Sequence, residues 1–151
     1  MTYTRHHACP AVRPHVDVST SFAPILFGWD LPELKKEVVD SGKHWQMVNA
    51  WRPLKQIRRS PVAVVDTSTV DWEDYLDVPQ PEVGPGVSGF WLQKGNHSWW
   101  YLSDQTPEEV LLFLQHDSEG AQVVPHTSIN LPGPVPEEPR ESIEVRLVVV
   151  Y

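Results

Sequence analysis

Hydrophobic and polar positions alternate along this chain in short runs, and proline and glycine separate the runs. Residues 12–18 alternate loosely and predict a strand that carries His15 and Asp17. Residues 44–51 alternate into Arg52-Pro53 and predict a second strand. Val62 to Val65 reads as a short buried strand between Pro61 and Asp66. Residues 89–94 and 97–103 predict a hairpin closed at Gly95-Asn96. Residues 122–128 predict a strand carrying His126. Residues 142–151 predict a closing strand in which Ile143, Val145 and Leu147 alternate with Ser142, Glu144 and Arg146.

Only one segment has a clear helical period. Asp30-Leu31-Pro32-Glu33 supplies a capping Asp, a first-turn Pro and an early Glu. Leu31, Leu34 and Val38 continue an apolar stripe that Gly42 ends. Thr106-Pro107-Glu108-Glu109 resembles another helix start, although Val110 to Phe113 suits a strand equally well. The Pro- and Gly-rich residues 77–89 and the Pro-rich residues 130–139 predict loops. Many short strands with one or two short helices predict a mainly β fold, for which a jelly roll, or double-stranded β-helix, is the natural architecture.

Composition narrows the function classes. At 151 residues, 40% of them hydrophobic, the chain predicts a single domain spanning 1–151 with a real core. It has no apolar run long enough to span a membrane and no secretory leader pattern. The single cysteine rules out an internal disulfide and a cysteine-based zinc site, and predicts a reducing, cytoplasmic setting. A net charge of −8 opposes binding to nucleic acid. The 7 tryptophans offer apolar area for a core or a pocket wall.

The candidate chemistry lies near the two ends of the chain: His15-Val16-Asp17, then His126, then Arg140-Glu141-Ser142. Residues i and i+2 of a strand share a face, so His15 and Asp17 project together. Two histidines and a carboxylate can hold one face of an octahedral iron(II) and leave three positions for a keto acid and dioxygen. Arg140 offers a planar fork for a carboxylate, and Ser142 shares its face. Each fragment also has an ordinary reading. His15 and Asp17 suit an exposed terminus, His126 suits a core histidine bonded to a carbonyl, and Arg140 and Ser142 suit a strand start.

Other clusters are weaker. Arg58 and Ser60 repeat the R-x-S spacing, but Pro61 follows them and they precede His126. His6-His7-x-Cys9 has ligand chemistry without a second pair at a usual spacing. His116 and Asp117 are adjacent, so a strand would point them to opposite faces. The glycines of residues 84–89 neither follow a strand nor open a helix, which argues against a nucleotide loop.

Four longer blocks carry a resemblance. They are Asn49-Ala50-Trp51-Arg52-Pro53-Leu54-Lys55, the run from Trp99 to Phe113, Pro125-His126-Thr127, and Arg140 to Arg146. The chain resembles the AsaB-like hydroxylase/desaturase family, which includes gibberellin desaturase-like proteins. Some members carry a cephamycin-type methyltransferase-like label. The similarity runs from about Arg13 to Tyr151.

This resemblance implies an iron(II)- and 2-oxoglutarate-dependent hydroxylase or desaturase of a small secondary metabolite. His15, Asp17 and His126 would be its metal ligands and Arg140 with Ser142 its keto-acid anchor. Asn49, Trp51, Arg52 and Tyr101 would line the pocket. Family members are longer and place early barrel strands before the H-x-D, so the resemblance also implies an N-terminally truncated barrel. Unpaired edges in such a barrel would favour a homodimer or strand exchange. Two alternatives stand beside this expectation. One is a non-catalytic relative that binds a small ligand or a protein. The other is a methyltransferase, against which the chain shows no Gly-rich strand–loop–helix element.

Overall fold

The structure is a computed structural model and describes residues 10–79, 88–92, 96–134 and 137–151. Chain order is β1 (His15–Val16), α1 (Ala23–Asp30), α2 (Pro32–Ser41), β2 (Trp45–Pro53), β3 (Val62–Val65), β4 (Tyr75–Pro79), β5 (Ser88–Leu92), β6 (Trp99–Tyr101), β7 (Leu111–Asp117), β8 (His126–Ser128) and β9 (Ser142–Val150). Two 3-10 turns, Thr67–Thr69 and Trp72–Asp74, lie between β3 and β4. Among the described residues, nine strands form two antiparallel sheets, one ordered β4-β5-β1-β8-β3-β6 and the other β7-β2-β9.

The alternation in β2 sets the inner face of the smaller sheet. Trp45, Met47, Asn49, Trp51 and Pro53 point inward, and the residues between them are less buried. Trp45 and Met47 pack with Phe22, Phe27 and Val38 of the helical segment, while Trp51 packs with Ile57, Val62 and Phe113. These two clusters couple the helices and the larger sheet to the inner face of β2. Asn49 is the exception, a fully buried amide on an otherwise apolar strand face. Such a group is tolerated only when it is hydrogen-bonded.

Helix α2 ends as expected, with Gly42 left-handed at φ 64°, where its amide reaches back to the carbonyls of Val38 and Val39. Asp30 does not cap it. It is the last residue of α1, a helix that the helical-period reading missed, and Leu31 occupies the cap position. The signal for α1 is Ser19, whose hydroxyl and carbonyl accept from Phe22 N at 3.1 Å, followed by Pro24 in the first turn.

Three other local expectations give way to tertiary pairing. β5 and β6 are not a hairpin: β5 lies between β4 and β1, and β6 pairs with β3 as Ala63↔Tyr101, Val64↔Trp100 and Val65↔Trp99. The expected loop 77–89 is partly strand, with Asp77↔Phe90, Val78↔Gly89 and Pro79↔Ser88 in register; residues 80–87 lie outside the described set. At Thr106 the capping signal is real, since the Glu109 carboxylate accepts from the Thr106 amide (2.8 Å) and hydroxyl (3.1 Å). The chain then enters β7 instead of a helix, because pairing Leu111–Asp117 against β2 buries Phe113 and Gln115.

Candidate metal centre

The strand pairings bring the candidate ligands together. His15 lies opposite His126 in the β1–β8 ladder, and their rings are 4.4 Å apart. Asp17 follows immediately after β1. Its Oδ1 is 3.3 Å from His15 Nε2 and 3.7 Å from His126 Nε2. One donor atom from each of the three residues lies within 4.8 Å of the others.

Hydrogen bonding sets the state of each donor. His15 Nδ1 lies 2.7 Å from the Arg13 carbonyl, which requires a donated N–H there and makes Nε2 the ring nitrogen that faces the cluster. Burial alone would lower the His15 pKa, but the bonds to Asp17 and Arg13 outweigh it and the net shift is upward. Burial pushes His126 down to about 4 against the pull of Asp17, so its ring is neutral near pH 7. For Asp17, burial opposes ionisation, but the His15 hydrogen bond, the charge that His126 carries in the acid range where Asp17 titrates, and the Arg146 guanidinium hold its carboxyl well below the ordinary range. The set therefore holds one carboxylate and two imidazoles, donors suited to a borderline divalent metal.

The other face of Asp17 contacts the small sheet. Asn49 Nδ2 donates to Asp17 Oδ2 at 2.5 Å and to Glu144 at 2.9 Å. Arg146 Nη2 donates to the same Oδ2 at 3.2 Å, and Gln115 Oε1 accepts from the Asp17 amide at 2.9 Å. Desolvation at the wall of the site and repulsion from Asp17 push Glu144 up to about 7. The sequence reading missed Glu144, Arg146 and Gln115 as site residues. The signal for the first two was the polar half of the β9 alternation. That half shares the face of Trp51 and Asn49, where Glu144 and Arg146 border an open site and remain solvent-exposed, while Ile143, Val145 and Leu147 lie on the opposite face.

Arg140 joins the site through Ser128. Its Nη1 donates to Ser128 Oγ at 2.8 Å and to the Ser60 carbonyl at 2.7 Å, and its guanidinium lies 5.4 Å from the centre of the Trp51 ring. Ser128 is two residues from His126 on β8, a spacing of roughly 6.6 Å along a strand. Ser142, half-buried, sits opposite Pro53 on the inward face of β9. Asn49 and Trp51 are thus gathered at the site, but Arg52 and Tyr101 are not. Arg52 is on the outer face of β2, exposed, and donates to the Pro107 carbonyl. Tyr101 is exposed on the edge strand β6.

His116 and Asp117 face opposite ways, as alternation requires: His116 pairs with inward-facing Met47 and packs on the Trp45 ring, while Asp117 pairs with Gln46 and accepts from its side-chain amide. The β2–β7 register passes from Val48↔Leu114 to Met47↔His116, leaving Gln115 as the extra residue of a bulge. All three residues are buried, and His116 and Asp117 both border a cavity of about 330 Å³ walled by Trp72, Tyr75 and Gln122. No member of the His-Asp-His cluster lines that cavity. Asp117 is occupied structurally, accepting from His44 and Gln46 side chains and the Glu119 amide.

Two facing antiparallel sheets with a His-Asp-His cluster between them define a double-stranded β-helix protein with the donor set of a facial metal site. The chain belongs to the family described as the oxidoreductase/YMDC permease-like domain, whose model matches residues 2–150. The gibberellin cluster GA4 desaturase of Gibberella fujikuroi is 40% identical over 73% of this chain and 36% of its own length. The hydroxylase/desaturase efuI of Hormonema carpetanum is 34% identical over 95% of this chain and 53% of its own. The iron and alpha-ketoglutarate-dependent endoperoxidase NvfI superposes with a TM-score of 0.83 at 28% identity, over 99% of this chain and 57% of its own. These matches bear out the double-stranded β-helix and the resemblance to hydroxylase/desaturases. The chain spans between about a third and three-fifths of the length of these relatives. Among the described residues no helix is long and apolar enough to cross a membrane.

Proposed function

We propose that this chain carries the iron(II) and 2-oxoglutarate site of a hydroxylase or desaturase acting on a small organic metabolite, in a reducing, cytoplasmic compartment. The observation that carries this reading is the convergence of His15, Asp17 and His126 within 4.8 Å, with the Arg140 guanidinium held beside the same strand by Ser128. The relatives named for desaturation, hydroxylation and alpha-ketoglutarate dependence support it.

The donor chemistry fits iron(II): His15 Nε2, Asp17 Oδ1 and His126 Nε2 would hold it. Bound there with the keto acid, iron supplies dioxygen activation and removal of a substrate hydrogen. The protein's own residues bind, orient and exclude water. Arg140 offers charge-assisted N–H groups to the far carboxylate of the keto acid, and Ser142 lies on the neighbouring strand face. Trp51 supports the guanidinium from below. Phe113 packs against the His126 ring at 4.7 Å and keeps water from that side.

A second reading, a binding domain without turnover, is favoured by the outer face of β7-β2-β9. There Leu112, Val145 and Leu147 are exposed in adjacent register, an apolar surface of the kind that a partner covers.

Anaerobic titration with iron(II) and 2-oxoglutarate separates the two. The oxygenase reading expects the weak visible charge-transfer band of a chelated keto acid, diminished by Arg140→Ala. A folded protein with no band would leave the binding domain as the better account.

A further inference from the structure

The two oxygens of Asp17 are treated differently. Oδ1 faces both imidazoles. Oδ2 receives two donors, Asn49 Nδ2 at 2.5 Å and Arg146 Nη2 at 3.2 Å. An ionised carboxylate offers about two acceptor sites per oxygen, so Oδ2 is saturated. Arg146 Nε also donates to Asn49 Oδ1 at 3.3 Å, which closes a ring of three side chains.

The Asn49 orientation follows from its partners. Its Nδ2 serves two carboxylates and its Oδ1 accepts from a guanidinium. The flipped amide would point an oxygen at both acids and an NH2 at Arg146. Asn49 and Arg146 also sit directly opposite each other in a ladder that runs unbroken from Trp45↔Val150 to Pro53↔Ser142. The clamp is therefore built on rigid strands, which is what a geometry-defining pair needs.

Resting on the metal-site reading above, we propose that Asn49 and Arg146 are positioning residues that occupy Asp17 Oδ2 and commit the carboxylate to a metal through Oδ1 alone. A one-oxygen ligand keeps open the coordination position that a bidentate Asp would fill. Neither residue touches the metal or a substrate in this role; both act through Asp17.

The test uses Co(II) alone as the probe, added anaerobically and followed by calorimetry and by the intensity and position of its visible d–d bands. Arg146→Met is expected to weaken Co(II) binding by about 10- to 100-fold and to change the d–d spectrum as the released carboxylate chelates. Arg146→Lys, which keeps a charged donor, is expected to restore most of both. Asn49→Leu is expected to repeat the Met result and serves where Arg146→Met fails to fold. The proposal is overturned if the Met and Leu variants bind Co(II) with unchanged affinity and spectrum while Asp17→Ala loses binding; the metal site then stands without the clamp. If Asp17→Ala also binds normally, the metal-site reading itself fails, and the clamp with it.

Discussion

His15 and His126, near opposite ends of the chain, are direct neighbours across the β1–β8 ladder, with ring centres 4.4 Å apart. One cross-strand pair thus creates the proposed metal site. Each ring has a second anchor, His15 through the Arg13 carbonyl and His126 through Phe113.

Removing either ring should remove a ligand. Iron(II) or Co(II) at a hundredfold excess over Kd stabilises a binding fold by about 2.7 kcal/mol. We expect the corresponding rise in melting temperature for the unsubstituted chain and none for His15→Ala or His126→Ala, read by thermal unfolding with and without metal. Retained keto-acid turnover in His126→Ala would sink the ligand assignment.

Metal binding should also depend on pH. The His15 pKa is raised, and its Nε2 must be deprotonated to bind. Below that pKa each bound metal displaces one proton, so affinity falls by about tenfold per pH unit as pH drops. Calorimetric titrations across the histidine range give the slope, and His15→Ala should abolish it together with binding.

Arg140 should matter to the keto acid and not to the metal. Losing a charge-assisted hydrogen bond costs about 1.5–3 kcal/mol, or roughly ten- to a hundredfold in affinity. We expect Arg140→Ala to weaken 2-oxoglutarate binding by that factor while the Co(II) Kd is unchanged. Some stability should be lost too, because the Ser60 carbonyl and the Ser128 hydroxyl lose their shared donor.

Asp117 predicts acid sensitivity. Burial opposes its ionisation, but donors from Gln46, the Glu119 amide and His44 bring its pKa down to about 2. A folded pKa below the unfolded value means that the unfolded chain takes up the proton first. The stabilisation is complete above about pH 4 and is lost as pH falls toward about 2. Urea unfolding across that window should show Asp117→Asn less stable at neutral pH and less sensitive to acid.

Phe27 is fully buried, with its ring 4.8 Å from Trp45. Phe27→Ala should cost about 3–5 kcal/mol, through lost burial and the cavity left behind. Denaturant unfolding measures it, and a loss below about 1 kcal/mol would show that the helices are not part of the cooperative core.

The sequence by itself determined the local features of this protein. Alternation located β2 and β9, a short apolar run between Pro61 and Asp66 located β3, Gly42 marked the end of α2, and the H-x-D spacing put His15 and Asp17 on one face. The four longer blocks pointed to the hydroxylase/desaturase relatives, which similarity to those proteins bears out. These features depend on residues within a few positions of one another, where backbone geometry alone sets the relation. Tertiary structure decided which strands pair. It separated β5 from β6, set His126 beside His15, and turned Glu144 and Arg146 toward the site while Arg52 faced out. A period of two says that alternate residues share a face, but not which face meets the core. That choice rests on partners far along the chain, such as the Asn49 amide and the Asp17 carboxylate that together draw Arg146 to the site.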